Sequence, residues 1–333
     1  MTTRQRRILR QVLSLAALAA VVVLVVTTVH RRNAGGEQAP EEPGIVTDQS
    51  ARYEALTYRN GSATLSFALN EQEKWVWADV PDFPLDEQYV TAILDHITGL
   101  TPQQTLTEPE APESYGLDDP AMTLTAASSD GTELRVDMGK EVAGGSGSRY
   151  LMLRGDASTV YIVDGSLAEE LTRPIYDMMR LPKATDIPAE NFRGLMLSRE
   201  ERSAPFMTAA GEDAPLVWRC SGEDVTGDAR LDAVLTLLSG LAPARCLDYN
   251  PSPEAVSLCG FDTPLIVTAR YQSGETEQLL RLESGGLNVD GTERCFRLGE
   301  DTTIYTLPLA ELEPLLTLEQ AFVPPAATGE ATA

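Results

Sequence analysis

Two short stretches of the sequence, YGLDDP at residues 115–120 and CGFDTP at residues 259–264, decide the fold. The glycine of each stretch lies 45 positions before a tyrosine in a strand-like segment, Tyr161 or Tyr305. Upstream, a tryptophan lies 22 positions before a glycine in each half of the chain (Trp77 and Gly99, Trp218 and Gly240). A spacing that is kept over about a hundred residues predicts that one fold unit occurs twice.

Each copy is predicted to begin with strands and one amphipathic helix. The predicted strands are Tyr53–Arg59, Ala63–Leu69 and Lys74–Ala78 in the first copy, and Phe192–Ser198, the stretch after Pro205 and Leu216–Cys220 in the second. The helices repeat one apolar pattern (Val90, Ile93, Leu94, Ile97, Leu100; Leu231, Val234, Leu235, Leu238, Leu241), which predicts that one face of each is buried. Gly99 and Gly240 are expected to end them in a left-handed cap.

After the repeated stretch, the apolar period changes to two. Alternating residues around Asp130-Gly131 and around Gly155-Asp156 predict hairpins in the first copy, and Gly299-Glu300 predicts one in the second. A short helix closes each copy, at Leu167–Met179 or Leu309–Leu318. Hairpin connections with few helices predict an α+β fold of antiparallel sheets with packed helices.

The amino-terminal segment is expected to anchor the chain in a membrane. Residues 8–29 are almost wholly apolar and are predicted to span the bilayer, after a basic cytoplasmic stub at residues 1–7. The alternative is a cleaved secretory signal, but the apolar run exceeds the usual signal core and ends in His30-Arg31-Arg32. The remaining segments are predicted as a flexible linker, two α+β repeats and a disordered tail (30–51, 52–182, 190–320 and 321–333).

The distribution of charge limits the partners of the exported body. Residues 1–32 contain six arginines and no acidic residue, so the remainder carries 20 basic and 50 acidic residues, a net charge of −30. Such a body repels phosphate backbones, because neutralising phosphates requires clustered lysine and arginine. No nucleic-acid partner is expected; the expected partners are the membrane, through the amino-terminal helix, and an envelope protein.

The four cysteines all lie in the second copy (Cys220, Cys246, Cys259, Cys295). Their even number allows two disulfides with three connectivities, and buried free thiols are the alternative. Their separations of 26, 13 and 36 residues match no zinc-ligand pattern.

Each residue with candidate chemistry has a structural interpretation that we favour. Asp118 and Asp262 are predicted to form turns, with Gly116 and Gly260 left-handed. The sequence Arg154-Gly155-Asp156 is interpreted as a hairpin tip, and Gly144–Gly147 as a flexible hairpin loop. His96 lacks a nucleophile-elbow partner, Trp77 and Trp218 are predicted as equivalent core residues, and Trp75 is expected to be buried. We predict no enzymatic activity and no catalytic, cofactor-binding or metal-binding residues, and therefore no cofactor.

Five features of the sequence form one pattern: the anchor, the tryptophan strand, the helices ending in TGL or SGL, the YGLDDP turn and the stretch RYLMLRGDASTVYIV. Together they resemble the bacterial domain of unknown function 4340. The resemblance covers about Tyr53 to Leu318, and CGFDTP departs from the tyrosine-led turn of the family. Some members of that family are linked to auxiliary components of ABC-type exporters resembling gliding-motility proteins. The resemblance therefore implies an extracytoplasmic accessory role and provides no catalytic residues.

These observations lead to one function hypothesis and two alternatives. The first is a membrane-anchored, extracytoplasmic, non-catalytic binding or scaffolding protein, such as an accessory component of an ABC-type transporter or envelope complex. The alternatives are a cell-envelope hydrolase that uses paired carboxylates and a cell-surface glycan-binding module that uses exposed aromatic residues.

Overall fold

A computed structural model describes residues 44–61, 63–144, 147–209 and 216–323. It contains two antiparallel sheets and a few helices, which confirms the α+β prediction. The predicted span at residues 8–29, most of the predicted linker and the end of the predicted tail lie outside the described residues. Within the described ranges, no helix is long and apolar enough to cross a membrane.

The first sheet is built from residues of the amino-terminal half of the described chain. Its strands are β1 (Tyr53–Asn60), β2 (Ala63–Leu69), β3 (Trp75–Trp77), β4 (Gln104–Leu106), β5 (Met122–Ser128), β6 (Glu133–Glu141), β7 (Arg149–Leu153) and β8 (Val160–Val163). Helix α1 (Glu87–Ile97) follows β3 and helix α2 (Ser166–Leu171) follows β8, and short 3-10 turns lie at Pro112–Tyr115, Ile175–Met178 and Ala189–Asn191.

The second sheet is built from the residues that follow. Its strands are β9 (Phe192–Arg199), β10 (Arg202–Ala209), β11 (Val217–Cys220), β12 (Glu223–Asp224), β13 (Arg245–Asp248), β14 (Leu265–Ser273), β15 (Thr276–Leu287), β16 (Glu293–Leu298) and β17 (Ile304–Pro308). The helices are α3 (Ala229–Ser239), α4 (Pro253–Leu258) and α5 (Leu309–Phe322).

The two sheets have the same topology. The first has the order β3-β2-β1-β5-β6-β7-β8-β4, and the second has the order β12-β11-β10-β9-β14-β15-β16-β17-β13. Apart from the added edge strand β12, the orders match strand for strand. The first hairpin of each sheet also closes in the same way, with two residues between the paired ends Asn60↔Ala63 and Arg199↔Arg202. Positions in the two sheets can therefore be compared one by one.

The described chain divides into two compact units whose bounds differ from those of the two sheets. The smaller unit comprises residues 44–51, His96–Ala121 and Val136–Gly165. The larger comprises Arg52–Asp95, Met122–Arg135 and the described residues from Ser166 onward, and it contains the whole second sheet.

The second sheet buries one face under helices α3 and α5. This inner face carries Leu195, Leu197, Phe206 and Val267, all of which are buried. Helix α5 packs on α3, β16 and β17, and its Phe322 meets Phe206 edge to face with the ring centroids 5.1 Å apart. Hydrophobic burial on this side therefore holds the helices to the sheet.

A threonine hydroxyl secures the carboxyl end of the long helix in each copy. The Thr47 hydroxyl donates to the Ile97 carbonyl at 2.6 Å and accepts from the Leu100 amide at 2.7 Å. The Thr185 hydroxyl makes the same pair of bonds, to the Leu238 carbonyl at 2.6 Å and from the Leu241 amide at 3.1 Å. These bonds satisfy backbone groups that the helix end leaves open.

The glycines after the two helices differ. Gly99 has a φ of 66°, as predicted, but Gly240 has a φ of −123°, so the prediction of a left-handed cap there was wrong. The Gly240 amide donates to the Leu237 carbonyl instead.

Two predicted elements have different bounds in the structure. The closing helix of the first copy was predicted over Leu167–Met179, but α2 ends at Leu171, and Pro174 precedes a separate 3-10 turn. Proline lacks the amide that a continuous helix needs. Strand β10 begins at Arg202 and includes Pro205, which the prediction placed before the strand. Pairing with β11 starts only at Phe206, so the sheet is open on that side at residue 205.

Candidate functional site

The candidate site is the outer face of the second sheet, the face opposite α3 and α5. On β9, Leu195 and Leu197 point inward, so Gly194 and Met196 point outward. Gly194 pairs with Met207 on β10 and Arg270 on β14. Met196 pairs with Pro205 and Thr268 in the neighbouring row. The row of paired residues that contains Gly194 extends in both directions across the sheet. Arg270 pairs with Leu279 on β15, and Met207 pairs with Arg219 on β11.

This uncovered part of the outer face, which we call the Met–Arg face, is defined by Met196, Met207, Arg219, Arg270, Leu279 and Arg281. Its apolar side chains are open to solvent, since Met196, Met207 and Leu279 are 40%, 44% and 66% exposed. Large apolar side chains that lie together on an exposed surface are typical of interaction sites.

Arg270 organises the Met–Arg face. Its guanidinium lies across Gly194, where an added Cβ would come within 2.9 Å of Nε. Nη2 lies 3.4 Å from the Met207 sulfur, and Nη1 lies 3.4 Å from a carboxylate oxygen of Glu277. The absence of a side chain at residue 194 therefore lets the Arg270 guanidinium lie over β9 beside Met207.

The other arginines of the face also have local partners. Arg281 Nη2 donates to Glu283 at 2.6 Å, and Arg219 Nη1 donates to the Gly222 carbonyl at 3.2 Å. The Arg281 side chain is 45% exposed. Each arginine keeps N–H donors that a carboxylate could engage.

The equivalent positions of the first sheet carry small residues. There, Ala55 pairs with Ala68 and Ala127, at the positions of Gly194, Met207 and Arg270. The next row holds three hydroxyl residues (Thr57, Ser66 and Thr125), at the positions of Met196, Pro205 and Thr268. The Thr57 hydroxyl donates to the Ser66 hydroxyl at 3.1 Å. The same scaffold thus carries a small polar surface in one copy and a Met–Arg face in the other.

The repeated turn covers the other end of the outer face of the second sheet. Cys259 and Val256 pack on a buried cluster of Phe261, Cys295 and Ile304. The Arg297 guanidinium lies 4.3 Å from the centre of the Phe261 ring. The Met–Arg face is consequently bounded on one side by α4 and the CGFDTP turn.

The glycines of the two turns adopt the predicted conformation. Gly116 and Gly260 have φ values of 68° and 73°, in the left-handed region. The Asp262 carboxylate accepts from the Ser257 hydroxyl at 2.5 Å rather than from a backbone amide. The left-handed conformation predicted for both glycines is confirmed.

The Arg-Gly-Asp sequence is held within its hairpin. Arg154 makes a bidentate ion pair with Asp137, with N–O distances of 3.1 and 2.9 Å, and the Asp137 side chain is buried. Asp156 accepts from the Ser158 amide and hydroxyl. Gly144 and Gly147 lie in the loop between β6 and β7, whose residues 145 and 146 are outside the described ranges.

The tryptophans do not align as predicted. Trp75 pairs with Leu69, and Trp218 pairs with Thr208, the equivalent of Leu69. Trp218 therefore corresponds to Trp75, and Cys220 corresponds to Trp77. A slip of two residues keeps every side chain on the same face of a strand, so the alternating pattern could not distinguish the two alignments. Both tryptophans of the first copy are half-buried, on the face of the first sheet opposite the one that carries Ala55, Thr57 and Ala68.

The titratable side chains of the described residues include His96 and several carboxyl groups with a shifted pKa. His96 is half-buried at the end of α1. The carboxyl groups whose pKa is shifted (Asp48, Asp130, Asp156, Asp224, Asp228 and Asp301) all have a lowered pKa. Hydrogen bonds from nearby amides and hydroxyls cause most of these shifts, and Arg230 lowers the pKa of Asp228 to about 2. A carboxylic acid that donates a proton at neutral pH needs the opposite shift.

Neither the cysteines nor the acidic residues form a metal site in the described ranges, which contain no group of three or more histidine, cysteine or acidic residues placed to hold an ion. All four cysteines are free. Burial, followed by the charges of Asp248, Asp301 and Asp177, raises the pKa of Cys246 to about 12.

The Met–Arg face was not found from the sequence. The signal was the alternation of β9 and β10, in which Met196 and Met207 occupy the positions between buried residues. Using it required the pairing register, which shows that the two methionines and Arg270 share a surface.

Comparison with known proteins identifies a family. The family model described as a domain of unknown function (DUF4340) matches residues 75–264, which is more than half of the chain. The match begins at β3 and ends at the last residue of CGFDTP, so it includes both repeated turns. No curated protein and no solved structure matches the chain. The chain belongs to the DUF4340 family.

Proposed function

We propose that this protein is a membrane-anchored, extracytoplasmic, non-catalytic binding or scaffolding protein, and that it holds its partner on the Met–Arg face. The observation that carries the proposal is the contrast between the two outer faces. The first sheet has Thr57, Ala68 and Ala127 where the second has Met196, Met207 and Arg270.

The exposed methionines support a binding role. Burying Met196, Met207 and Leu279 in the core of the chain would stabilise it, but the fold leaves them in solvent. Methionine has a flexible, polarisable side chain that adapts to different partners. A partner that covers these side chains gains hydrophobic free energy at no cost to the fold.

The chemistry of the face indicates the kind of partner. Arg270 lies at the centre of the face beside Met207, and Arg219 and Arg281 lie on its flanking strands, in a body whose net charge outside residues 1–32 is −30. A protein segment that offers apolar side chains at its centre and carboxylates at its rim would complement this arrangement. The acidic remainder of the body would repel such a segment, which directs it to the Met–Arg face.

The transporter association rests on the family resemblance. Family members linked to exporter auxiliary proteins place an accessory body of this kind beside a membrane complex. The charge asymmetry around residues 8–29, with four arginines before the apolar run and two after it, favours export of the body.

The location is tested by protease treatment of intact cells. We expect the body to be degraded in cells whose outer barrier is opened and to stay in the membrane pellet after alkaline extraction. Protection from protease while the membrane is intact, or release of the full-length chain by alkali, would contradict the proposed orientation or the anchor.

The binding role is tested with a matched pair of double variants of the full chain. Met196→Asp/Met207→Asp alters the Met–Arg face, and Thr57→Asp/Ala68→Asp places the same charges at the equivalent positions of the first sheet. After gentle crosslinking in membranes and purification, we expect the first pair to reduce the recovered partner on the order of 30-fold. The second pair should leave recovery unchanged.

The thermal midpoint of each variant provides the folding control. Recovery of monomer alone from the parent chain would contradict a binding role. An equal loss of partner in both double variants would show that the Met–Arg face does not hold it.

A further inference from the structure

The structure assigns Cys259 and Cys295 as a redox pair, and we propose that a disulfide-containing oxidant converts them to a disulfide that fastens the CGFDTP turn to the second sheet. Cys259 follows α4 at the start of the turn, and Cys295 lies in β16. Both thiols are free in the structure.

The two sulfurs lie in one apolar cluster. Cys295 is fully buried between Phe261 and Ile304, and Cys259 packs against this cluster from the turn. Burial, followed by the neighbouring Cys259 thiol, raises the pKa of Cys295 to about 12, which keeps the Cys295 thiol protonated at neutral pH.

The backbone holds Cys259 in place over the sheet. Its carbonyl accepts from the Gly286 amide at 2.6 Å, and a Cβ on Gly285 would come within 2.3 Å of the same oxygen. The turn is thus pressed directly on β15, the strand next to β16. Sulfurs carried by two backbones that are already fixed lose little freedom when they are joined.

The sheet geometry excludes the other pairings of Cys295. Cys246 pairs with Tyr305, and Tyr305 pairs with Phe296, so Cys246 shares a face with Phe296. Cys295 is the neighbour of Phe296 and points to the opposite face. Cys220 lies on β11, five strands away from β16, which is about 24 Å at the usual strand spacing.

Exposure determines the order of the chemical steps. Cys259 is half-buried, whereas the other three cysteines are buried. The Cys259 thiolate attacks a sulfur of the oxidant, such as oxidised glutathione, and one glutathione leaves as the thiolate. Cys295 then attacks the Cys259 sulfur, loses its proton to solvent and displaces the second glutathione. Two protein thiols are oxidised by two electrons, and one disulfide is reduced to two thiols.

The same fold positions work without sulfur in the first copy. The strand pairing puts Tyr150 at the position of Cys295, because Leu151 pairs with Tyr161 as Phe296 pairs with Tyr305. Tyr115 stands at the position of Cys259, and the ring centroids of Tyr115 and Tyr150 lie 4.8 Å apart. The pair is therefore an addition to the second copy, where it would lock the turn that borders the Met–Arg face.

The test uses the full chain with Cys220→Ser and Cys246→Ser, which leaves only the proposed pair. After treatment with oxidised glutathione and unfolding, we expect the titratable thiols to fall from two to none. Trypsin should then yield residues 246–270 joined to residues 295–297, with a mass two hydrogens below the sum. The thermal midpoint should rise by roughly 5 °C or more and return with reductant.

Two results would overturn the assignment. One is the persistence of two free thiols after treatment, and the other is a stable glutathione adduct on Cys259 that Cys295 does not resolve. The parent chain with all four cysteines should give the same joined peptides, in which residues 246–270 hold both Cys246 and Cys259. Fragmentation of these peptides should place the bond at Cys259, and a bond from Cys295 to Cys246 would also contradict the geometry.

Discussion

The outer faces of the two sheets differ at equivalent positions. On β1, β2 and β5 the first face carries alanine, serine and threonine, and the Thr57 hydroxyl donates to the Ser66 hydroxyl. The second exposes Met196, Met207 and Arg270 on the same strands in the same register. Since both sheets keep the same topology, the difference is not required by the fold, and it is the difference on which the proposed binding role rests.

The parts of the two sheets that lie under the repeated turns are alike, in contrast to the outer faces. In each copy, a strand glycine lies directly under the turn, Gly139 beneath the Tyr115 carbonyl and Gly285 beneath the Cys259 carbonyl. In each copy, a threonine outside the helix secures the helix end. Features that the fold needs are therefore present twice, and the comparison separates architecture from function.

The largest expected effect comes from the buried glycines. A Cβ at Gly139 or Gly285 would lie 2.2 or 2.3 Å from a carbonyl oxygen of the backbone, which cannot yield as a flexible side chain can. We expect Gly139→Ala and Gly285→Ala each to lower the free energy of unfolding by about 3 kcal/mol or more. Denaturation of the full chain in detergent measures both, with Gly240→Ala as the control because no atom lies within 4 Å of its Cβ position. A large loss of unfolding free energy from only one of the two substitutions would contradict the structural equivalence of Gly139 and Gly285.

The threonine pair should have a smaller and equal effect. Thr47→Val and Thr185→Val keep the shape but leave one carbonyl and one amide without partners at a half-buried helix end. We expect each substitution to cost about 2 kcal/mol in the same denaturation experiment. An effect below about 0.5 kcal/mol at Thr47, with the full effect at Thr185, would show that residues 44–51 do not support the first helix as described.

More of the fold than of the candidate site could be predicted from the sequence. The apolar stripes of α1 and α3 and the left-handed Gly116 and Gly260 follow from local chemistry, and the structure confirms them. The equivalence of Trp75 with Trp218 could not be predicted, because a two-residue slip preserves the strand pattern.

The Met–Arg face was beyond prediction for a related reason. Met207 and Arg270 are 63 positions apart and meet only through the pairing of β9 with both β10 and β14. Long-range strand pairing is set by packing of the whole sheet, which no local pattern records.

Substitutions on the Met–Arg face are expected to have the smallest effect on the free energy of unfolding. Met196→Thr and Met207→Ala place first-copy residues on the second sheet at positions that are already exposed. We expect the free energy of unfolding to change by less than about 0.5 kcal/mol for each. A loss well above this value would mean that the methionines serve the fold, and the difference between the two faces would need a structural explanation.

Site-specific photo-crosslinking tests the central claim most directly. A photoreactive amino acid is placed at Met207 in one full-length chain and at the equivalent Ala68 in another, and both chains are irradiated in their membranes. The account predicts a discrete protein adduct from position 207 and none from position 68. Equal adducts at both positions, or no adduct at either, would contradict the claim that the second sheet carries the binding face.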